Sequence, residues 1–206
     1  MLSYQAPIFA ISRHRINRDG EGVVSLVAFY GCPLRCQYCF NQGTWEAPVA
    51  SRWLTPEQLY DEVKKDELYF LATNGGITFG GGEPMLRAPF IRRFRELCGP
   101  LWKLRVETSL CCPVQAVEEL ASCVDEWIID VKSMNPSTYE KYTGRLASRR
   151  NACLQYLADH HLQERCMIRL PNIPNHACDQ LKDERILREV GFRRFEKFDY
   201  IIPNNK

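Results

Sequence analysis

Three cysteines stand four and then three positions apart in Cys32-Pro33-Leu34-Arg35-Cys36-Gln37-Tyr38-Cys39. A loop with thiolates at this spacing can fold around three corners of a [4Fe–4S] cubane, which four thiolates would saturate. One iron is then left open, as required if the cluster is to bind a small molecule and pass it an electron directly. The competing reading is a structural zinc site whose fourth ligand is Cys98 or one of the 4 histidines. Zinc knuckles, however, usually supply their cysteines as pairs two apart.

The β-branched run Val23–Phe29, entered through the turn Asp19-Gly20-Glu21-Gly22, reads as the strand that delivers this loop. Residues 8–18 mix polar and apolar types and are assigned no element, and residues 41–54 read as irregular. Thr55-Pro56-Glu57-Gln58 is a helix start, with an N-cap, Pro at the first position and Gln at the third. Leu59, Val63, Leu68 and Leu71 then space out an apolar face to about 71, and Asn74-Gly75-Gly76 stops the helix. A strand over 77–79 runs into Gly80-Gly81-Gly82-Glu83-Pro84.

The same unit recurs, with helices expected over 88–97, 114–121, 136–142, 147–160 and 183–190, and strands over 104–108, 127–131, 166–170 and 198–202. Phe90, Ile91, Phe94 and Leu97 would face inward on the first of these helices. Strands alternating with helices imply parallel strands with right-handed crossovers. Six units are too few for a closed eight-stranded barrel, so the fold class is α/β, an open partial (β/α)6 barrel. It is expected as one domain over 1–206, with 1–22 as a lead-in and 23–206 as the barrel.

In such barrels chemistry collects where strand C-termini feed their loops. Glycines 80–82 let backbone approach a ligand, and Glu83 can hold a cation or fix the loop. With Tyr38 preceding the last cysteine, the first loop resembles the CxxxCxΦC motif of the radical S-adenosylmethionine (SAM) enzymes, and Gly81-Gly82-Glu83-Pro84 resembles their GGEP motif. The (β/α)6 core of that family would cover nearly all of the chain from Val23 onward.

Within the superfamily the sequence most resembles the activating enzymes of glycyl radical enzymes, through Cys36-Gln37-Tyr38-Cys39-Phe40-Asn41-Gln42-Gly43-Thr44-Trp45-Glu46, Ile129-Asp130-Val131-Lys132 and Ile168-Arg169. That resemblance implies cluster ligation by Cys32, Cys36 and Cys39. It implies SAM contact by Tyr38, Cys39, Phe40, Gly81, Gly82, Glu83, Asp130, Val131, Lys132 and Arg169, and by Asn205 after the last strand. Asp130 and Lys132 share one strand face and could bind the ribose hydroxyls and carboxylate of SAM, or form a buried ion pair with each other. Arg169 is a second cationic anchor or a plain salt bridge. Glu107 and Thr108 fall where the activases place a monovalent cation.

The sequence also departs from the activase pattern. Phe40 stands where His is usual, Glu107 where Asp is usual, and Pro203-Asn204-Asn205 where a Pro-x-His helps hold SAM; no C-terminal extension follows. No cysteine lies between Cys39 and Gly80, which excludes a ferredoxin-like insert there, and Cys98, Cys111, Cys112, Cys123, Cys153, Cys166 and Cys178 show no cluster spacing and are expected as small apolar residues.

The chemistry implied is reductive cleavage of SAM at the open iron to methionine and a 5′-deoxyadenosyl radical, which abstracts a hydrogen atom from a substrate. For an activase the substrate is a glycine of a large partner, the glycyl radical enzyme, and the electron comes from a donor such as flavodoxin or ferredoxin. The alternatives are a radical SAM enzyme acting on a small metabolite, nucleoside or ribosomal peptide, and a non-enzymatic zinc or iron–sulfur module.

Composition bounds the partners. With 27 basic and 25 acidic side chains the formal charge is +2, which gives no footprint for nucleic acid or an anionic membrane. No export signal opens the sequence, and its longest apolar stretch, around 23–30, is far below the ~18 residues of a membrane span. Ten cysteines without an export signal fit a reducing, cytoplasmic setting.

Overall fold

Alternate residues of the strand-forming runs carry different chemistry, and this divides the molecule into an apolar shell and a polar lumen. Val27, Phe29, Ile77, Phe79, Leu104, Val106, Ile129 and Ile168 are fully buried in one large apolar cluster. Their neighbours in sequence, among them Leu26, Ala28, Glu107, Asp130 and Arg169, face the other side of the sheet and line a cavity.

In this computed structural model, which describes residues 4–176 and 179–200, the strands are β1 (Ala6–Ile16), β2 (Val23–Phe29), β3 (Arg52–Leu54), β4 (Gly76–Gly81), β5 (Lys103–Thr108), β6 (Glu126–Asp130), β7 (Cys166–Asn172) and β8 (Arg194–Asp199). They form one unclosed sheet in the order β3-β1-β2-β4-β5-β6-β7-β8. β2 and β4 to β8 are parallel, the six units expected for a partial (β/α)6 barrel. The crossovers are α1 (Pro56–Val63) with α2 (Glu67–Thr73), α3 (Ala88–Cys98), α4 (Val114–Leu120), α5 (Pro136–Thr143) with α6 (Ser148–Asp159), and α7 (Gln180–Glu189). Among the described residues, no helix is long and apolar enough to cross a membrane.

Three expectations need correction. Residues 8–18, read as no element, belong largely to β1, which pairs antiparallel with β2 and, through Ala6–Ile8, with the short β3 inside the segment read as irregular. The helix expected over 55–71 is broken by a 3-10 turn over Lys64–Asp66. That turn resets the helical phase, so Phe70 is buried while Leu68 and Leu71 are 80% and 45% exposed. The last strand lies at Arg194–Asp199 rather than 198–202, and Ile201 and Ile202 fall outside the described residues.

Local signals set the remaining boundaries. Thr55 and Gln58 form a reciprocal capping box at α1, and the Asn135 side chain accepts the Thr138 N–H at 3.0 Å to start α5. Gly144 closes α5 at φ 69°, a left-handed conformation that a Cβ would disfavour. Cys111, Cys112, Cys153 and Cys166 are buried as expected of small apolar residues, whereas Cys98 and Cys123 are only half-buried, and Cys178 lies outside the described residues.

Candidate active site

The loop after β2 is held from three directions. Its start is fixed by Gly31 N–H to Thr44 O at 2.7 Å and Cys32 N–H to Trp45 O at 3.2 Å. Its far side is bonded to the end of α5, through Arg35 N–H to Thr143 O at 2.9 Å and Gln37 N–H to Tyr142 O at 3.1 Å. The Arg35 guanidinium folds back onto the carbonyls of Cys32 and Leu34 at 2.7 and 3.0 Å, which closes the loop on itself. Leu34 and Cys36 are buried against Cys111, Tyr139 and Tyr142. Cys32 and Cys39 are half-buried.

The glycine loop after β4 is bonded directly to this one. Gly82 N–H donates to Phe29 O at 2.9 Å, and Glu83 N–H to Gly31 O at 2.7 Å. A Cβ at Gly82 would stand 2.2 Å from Gly31 O, so only glycine permits the approach; Gly81 adopts φ +92°. Glu83 is buried beneath both loops and accepts the Thr108 hydroxyl at 2.5 Å, the Ser109 hydroxyl at 2.6 Å, the Ser109 N–H at 3.0 Å and the Met85 N–H at 3.2 Å. The ends of β2, β4 and β5 are thereby locked together.

Charged side chains from β5 to β8 complete the lumen. Arg169 donates to Glu107 at 2.7 Å and to Glu196 at 2.8 Å, and Lys132 pairs with Asp130 at 2.8 Å. Burial pushes the Glu107 carboxyl up, with Asp130 adding to the rise and Arg169 opposing it. Burial works against the Lys132 ammonium, but the charge and hydrogen bond of Asp130, with Cys36 and Tyr142 adding to them, together outweigh it and hold the group protonated. Burial also raises the thiols, Cys32 to about 12 and Cys36 to about 11. Thiols so placed stay protonated near neutral pH until a metal claims them.

A cavity of about 410 Å³ opens where these loops meet. Of the residues expected at the site, it is lined by Cys32, Cys36, Cys39, Phe40, Gly81, Gly82, Glu107, Thr108, Asp130, Lys132 and Arg169. Three others are placed differently. Tyr38 packs against Tyr142 and His176, with ring centroids 6.3 and 6.2 Å away, and its carbonyl accepts the Tyr200 hydroxyl. Val131 turns its side chain into the apolar core. Glu83 spends both oxygens on its neighbours, and Asn205 lies outside the described residues.

The sequence reading missed Phe9 and Ala10, which line the cavity from β1, and Phe198 and Tyr200, which line it from β8 and just beyond. Ser109 was also missed as a donor to Glu83, although its position next to Thr108 at a strand end was the available signal.

The residues present fit an iron–sulfur cluster with SAM. Three thiols that form no disulfide sit on one loop, glycine backbone faces them, and the volume lies in the range of ordinary ligand pockets. Cys32, Cys36 and Cys39 line this one cavity together, as three corners of a cluster would require.

Residues 26–191 match the family model of the Radical SAM superfamily. The pyruvate formate-lyase-activating enzymes of Staphylococcus epidermidis and Staphylococcus aureus (strain USA300) are each 33% identical over 134 residues, 62% of this chain and 53% of theirs. The match thus spans about half the length of these curated relatives. Among solved structures, SuiB of Streptococcus suis bound to its precursor peptide SuiA superposes with a TM-score of 0.64 at 17% identity, over 84% of this chain and 38% of that one. A second, anSMEcpe with bound AdoMet, gives 0.63 at 17% identity, over 84% and 49%. At such identities the structural likeness speaks for the fold.

Proposed function

This chain belongs to the radical SAM superfamily, and from that premise we propose that its lumen cavity holds a [4Fe–4S] cluster on Cys32, Cys36 and Cys39 and binds SAM between those thiols and the Gly81–Gly82 backbone. When bound, the reduced cluster and SAM supply a 5′-deoxyadenosyl radical that takes a hydrogen atom from substrate. The observation that carries the reading is the bonding of the cysteine loop to the glycine loop, Gly82 to Phe29 and Glu83 to Gly31, which puts both on one cavity.

The chain's own residues bind, orient and exclude water. Asp130 and Lys132 present a carboxylate and an ammonium to the ligand, and Arg169 adds a second cation held in place by Glu107 and Glu196. Phe9, Phe40, Phe198 and Tyr200 give the mouth an apolar lining that keeps water from a reactive radical. The geometry gives a monovalent cation at Glu107 and Thr108 less support, because Glu107 already holds Arg169 and Thr108 already serves Glu83.

The substrate we assign is the Cα hydrogen of a glycine in a glycyl radical enzyme. The 33% identity to activating enzymes supports this assignment. So does the gap in the sheet, whose two sides contribute Phe9 and Ala10 from β1 and Phe198 from β8 to the same cavity, leaving a lateral way in for a polypeptide loop. Phe40, where the activases usually carry His, favours a second reading, a radical SAM enzyme acting on another substrate.

The test is anaerobic. Protein reconstituted with iron and sulfide and then reduced should give a cluster EPR signal that shifts on adding SAM, and should release 5′-deoxyadenosine. Cys36→Ala should abolish both. Cleavage retained in that variant, or a parent protein that binds zinc and leaves SAM intact, would sink the assignment.

A further inference from the structure

We propose that the exposed face made by the end of α5 and the start of α6, directly behind the cysteine loop, is the docking surface for an acidic one-electron carrier protein of the flavodoxin or ferredoxin type. The proposal rests on the cluster reading above.

Position is the first argument. The cysteine loop has one side on the lumen cavity and its other side against the α5–α6 connection, to which it is joined by Arg35 N–H to Thr143 O and by Arg145 Nε to Pro33 O at 2.9 Å. A second concavity of about 460 Å³ opens at this outer side, with Pro33 and Cys111 on its floor and Gly144, Arg145, Leu146 and Arg149 on its walls. Electron tunnelling falls off steeply with distance, so a carrier must come to the surface nearest the thiols. On the reading above, the mouth lined by Phe9 and Tyr200 receives the substrate. The outer face over the α5–α6 connection is left for the carrier.

Charge is the second. The chain as a whole is nearly neutral at +2, yet Lys141, Arg145 and Arg149 are all exposed on this face. Among the described residues none of the three has a carboxylate within ion-pair distance, although most arginines elsewhere in the fold do. The positive end of α6 adds to their field, and the negative end of α5 offsets part of it. The acidic side chain on the rim is Glu140, and Arg35 shares its charge with Glu46 at 3.1 Å. Leu146, 66% exposed among these cations, supplies an apolar contact inside a basic rim. Such a face steers an acidic partner and fixes its orientation.

The step itself transfers one electron. The carrier is oxidised by one, the cluster is reduced by one, and no bond or proton moves.

The experiment measures binding as well as rate. Loaded protein is titrated with an oxidised acidic flavodoxin at low ionic strength. Cluster reduction is then followed spectroscopically, with the reduced flavodoxin and, separately, with photoreduced deazaflavin, a small reductant that needs no docking face. Lys141→Glu with Arg149→Glu should weaken flavodoxin binding about tenfold or more and slow reduction by it comparably, with deazaflavin reduction unchanged. Glu140→Lys should act in the opposite direction, which a merely misfolded variant would not. Unchanged affinity and rate in the double variant, with its cluster signal intact, overturn the docking site alone. A parent protein that holds no cluster overturns the cluster reading and this proposal together, and the missing EPR signal tells that case apart.

Discussion

Burial of Glu83 pushes its carboxyl up, while the bonds from Ser109, Thr108 and Met85 pull the other way, and burial prevails. A carboxylate in that position is worth keeping only if its donors would otherwise go unmet. Glu83→Ala would leave two hydroxyls and two backbone N–H groups facing a small void. The expected loss is about 2–4 kcal/mol in chemical denaturation, from donors stranded without partners. Glu83→Gln, which keeps one carbonyl oxygen, should lose less. An alanine variant as stable as the parent would mean that the loops are held by their backbone bonds alone. In sequence, Glu83 had two readings, cation holder or loop anchor, and only the placement of Thr108 and Ser109 beside it distinguishes them. Gly82 was legible for a simpler reason: a run of glycines at a strand end has few uses, and here the backbone comes too close for any Cβ.

Asp66 does at the level of elements what Glu83 does at the site. It sits in the 3-10 turn between α1 and α2, buried, and receives Arg13 Nε at 2.6 Å, with His14 Nε2 2.9 Å away, so it fastens the helix break to β1. The hydrogen bond from Arg13 holds its carboxyl below the ordinary value, with burial opposing and His14 assisting. A carboxyl lowered in the folded state contributes stability above its unfolded pKa of about 3.9 and loses it as pH falls through the lower folded value. Asp66→Asn should therefore cost about 1–3 kcal/mol at neutral pH, and parent and variant should begin to converge as pH falls below about 4. A constant difference down to pH 3 would rule out the ionic account. The elements missed in the sequence belong to this same region. Ser12-Arg13-His14-Arg15 shows no alternation because β1 lies near the sheet edge with solvent on much of both faces. Lys64-Lys65-Asp66 breaks a helix with neither Gly nor Pro to announce it. The parallel strands β4 to β7 were legible because each carries buried apolar residues at alternate positions. β8 was placed too late because Arg194, Glu196 and Lys197 read as surface, while Arg194 and Glu196 in fact face other lumen charges.

At the scale of the whole molecule, the open barrel keeps its greasy residues between sheet and helices and fills its lumen with ion pairs. Arg105 and Arg194 meet on Glu126, Glu107 and Glu196 meet on Arg169, and Asp130 meets Lys132. A closed barrel would pack branched side chains there, whereas this one leaves a polar channel wide enough for a charged ligand. Arg169 is central, because it joins β5 to β8 across the lumen and balances Glu107 against the nearby Asp130. Replacing it by leucine preserves much of the bulk and removes the charge. Glu107 would then face Asp130 and Asp19 with only the smaller opposition of Lys132, and its carboxyl, already raised by burial, would rise further. A carboxyl raised in the folded state costs stability above that raised value and gives the cost back as pH falls through it. Arg169→Leu should accordingly lose about 2–3 kcal/mol near pH 8, with the loss shrinking as pH is lowered toward about 5. Adding Glu107→Gln should restore most of the stability at the higher pH. If the loss is the same at both pH values, or the second substitution deepens it, then Arg169 serves this fold through its packing and the charged lumen exists for its ligand alone.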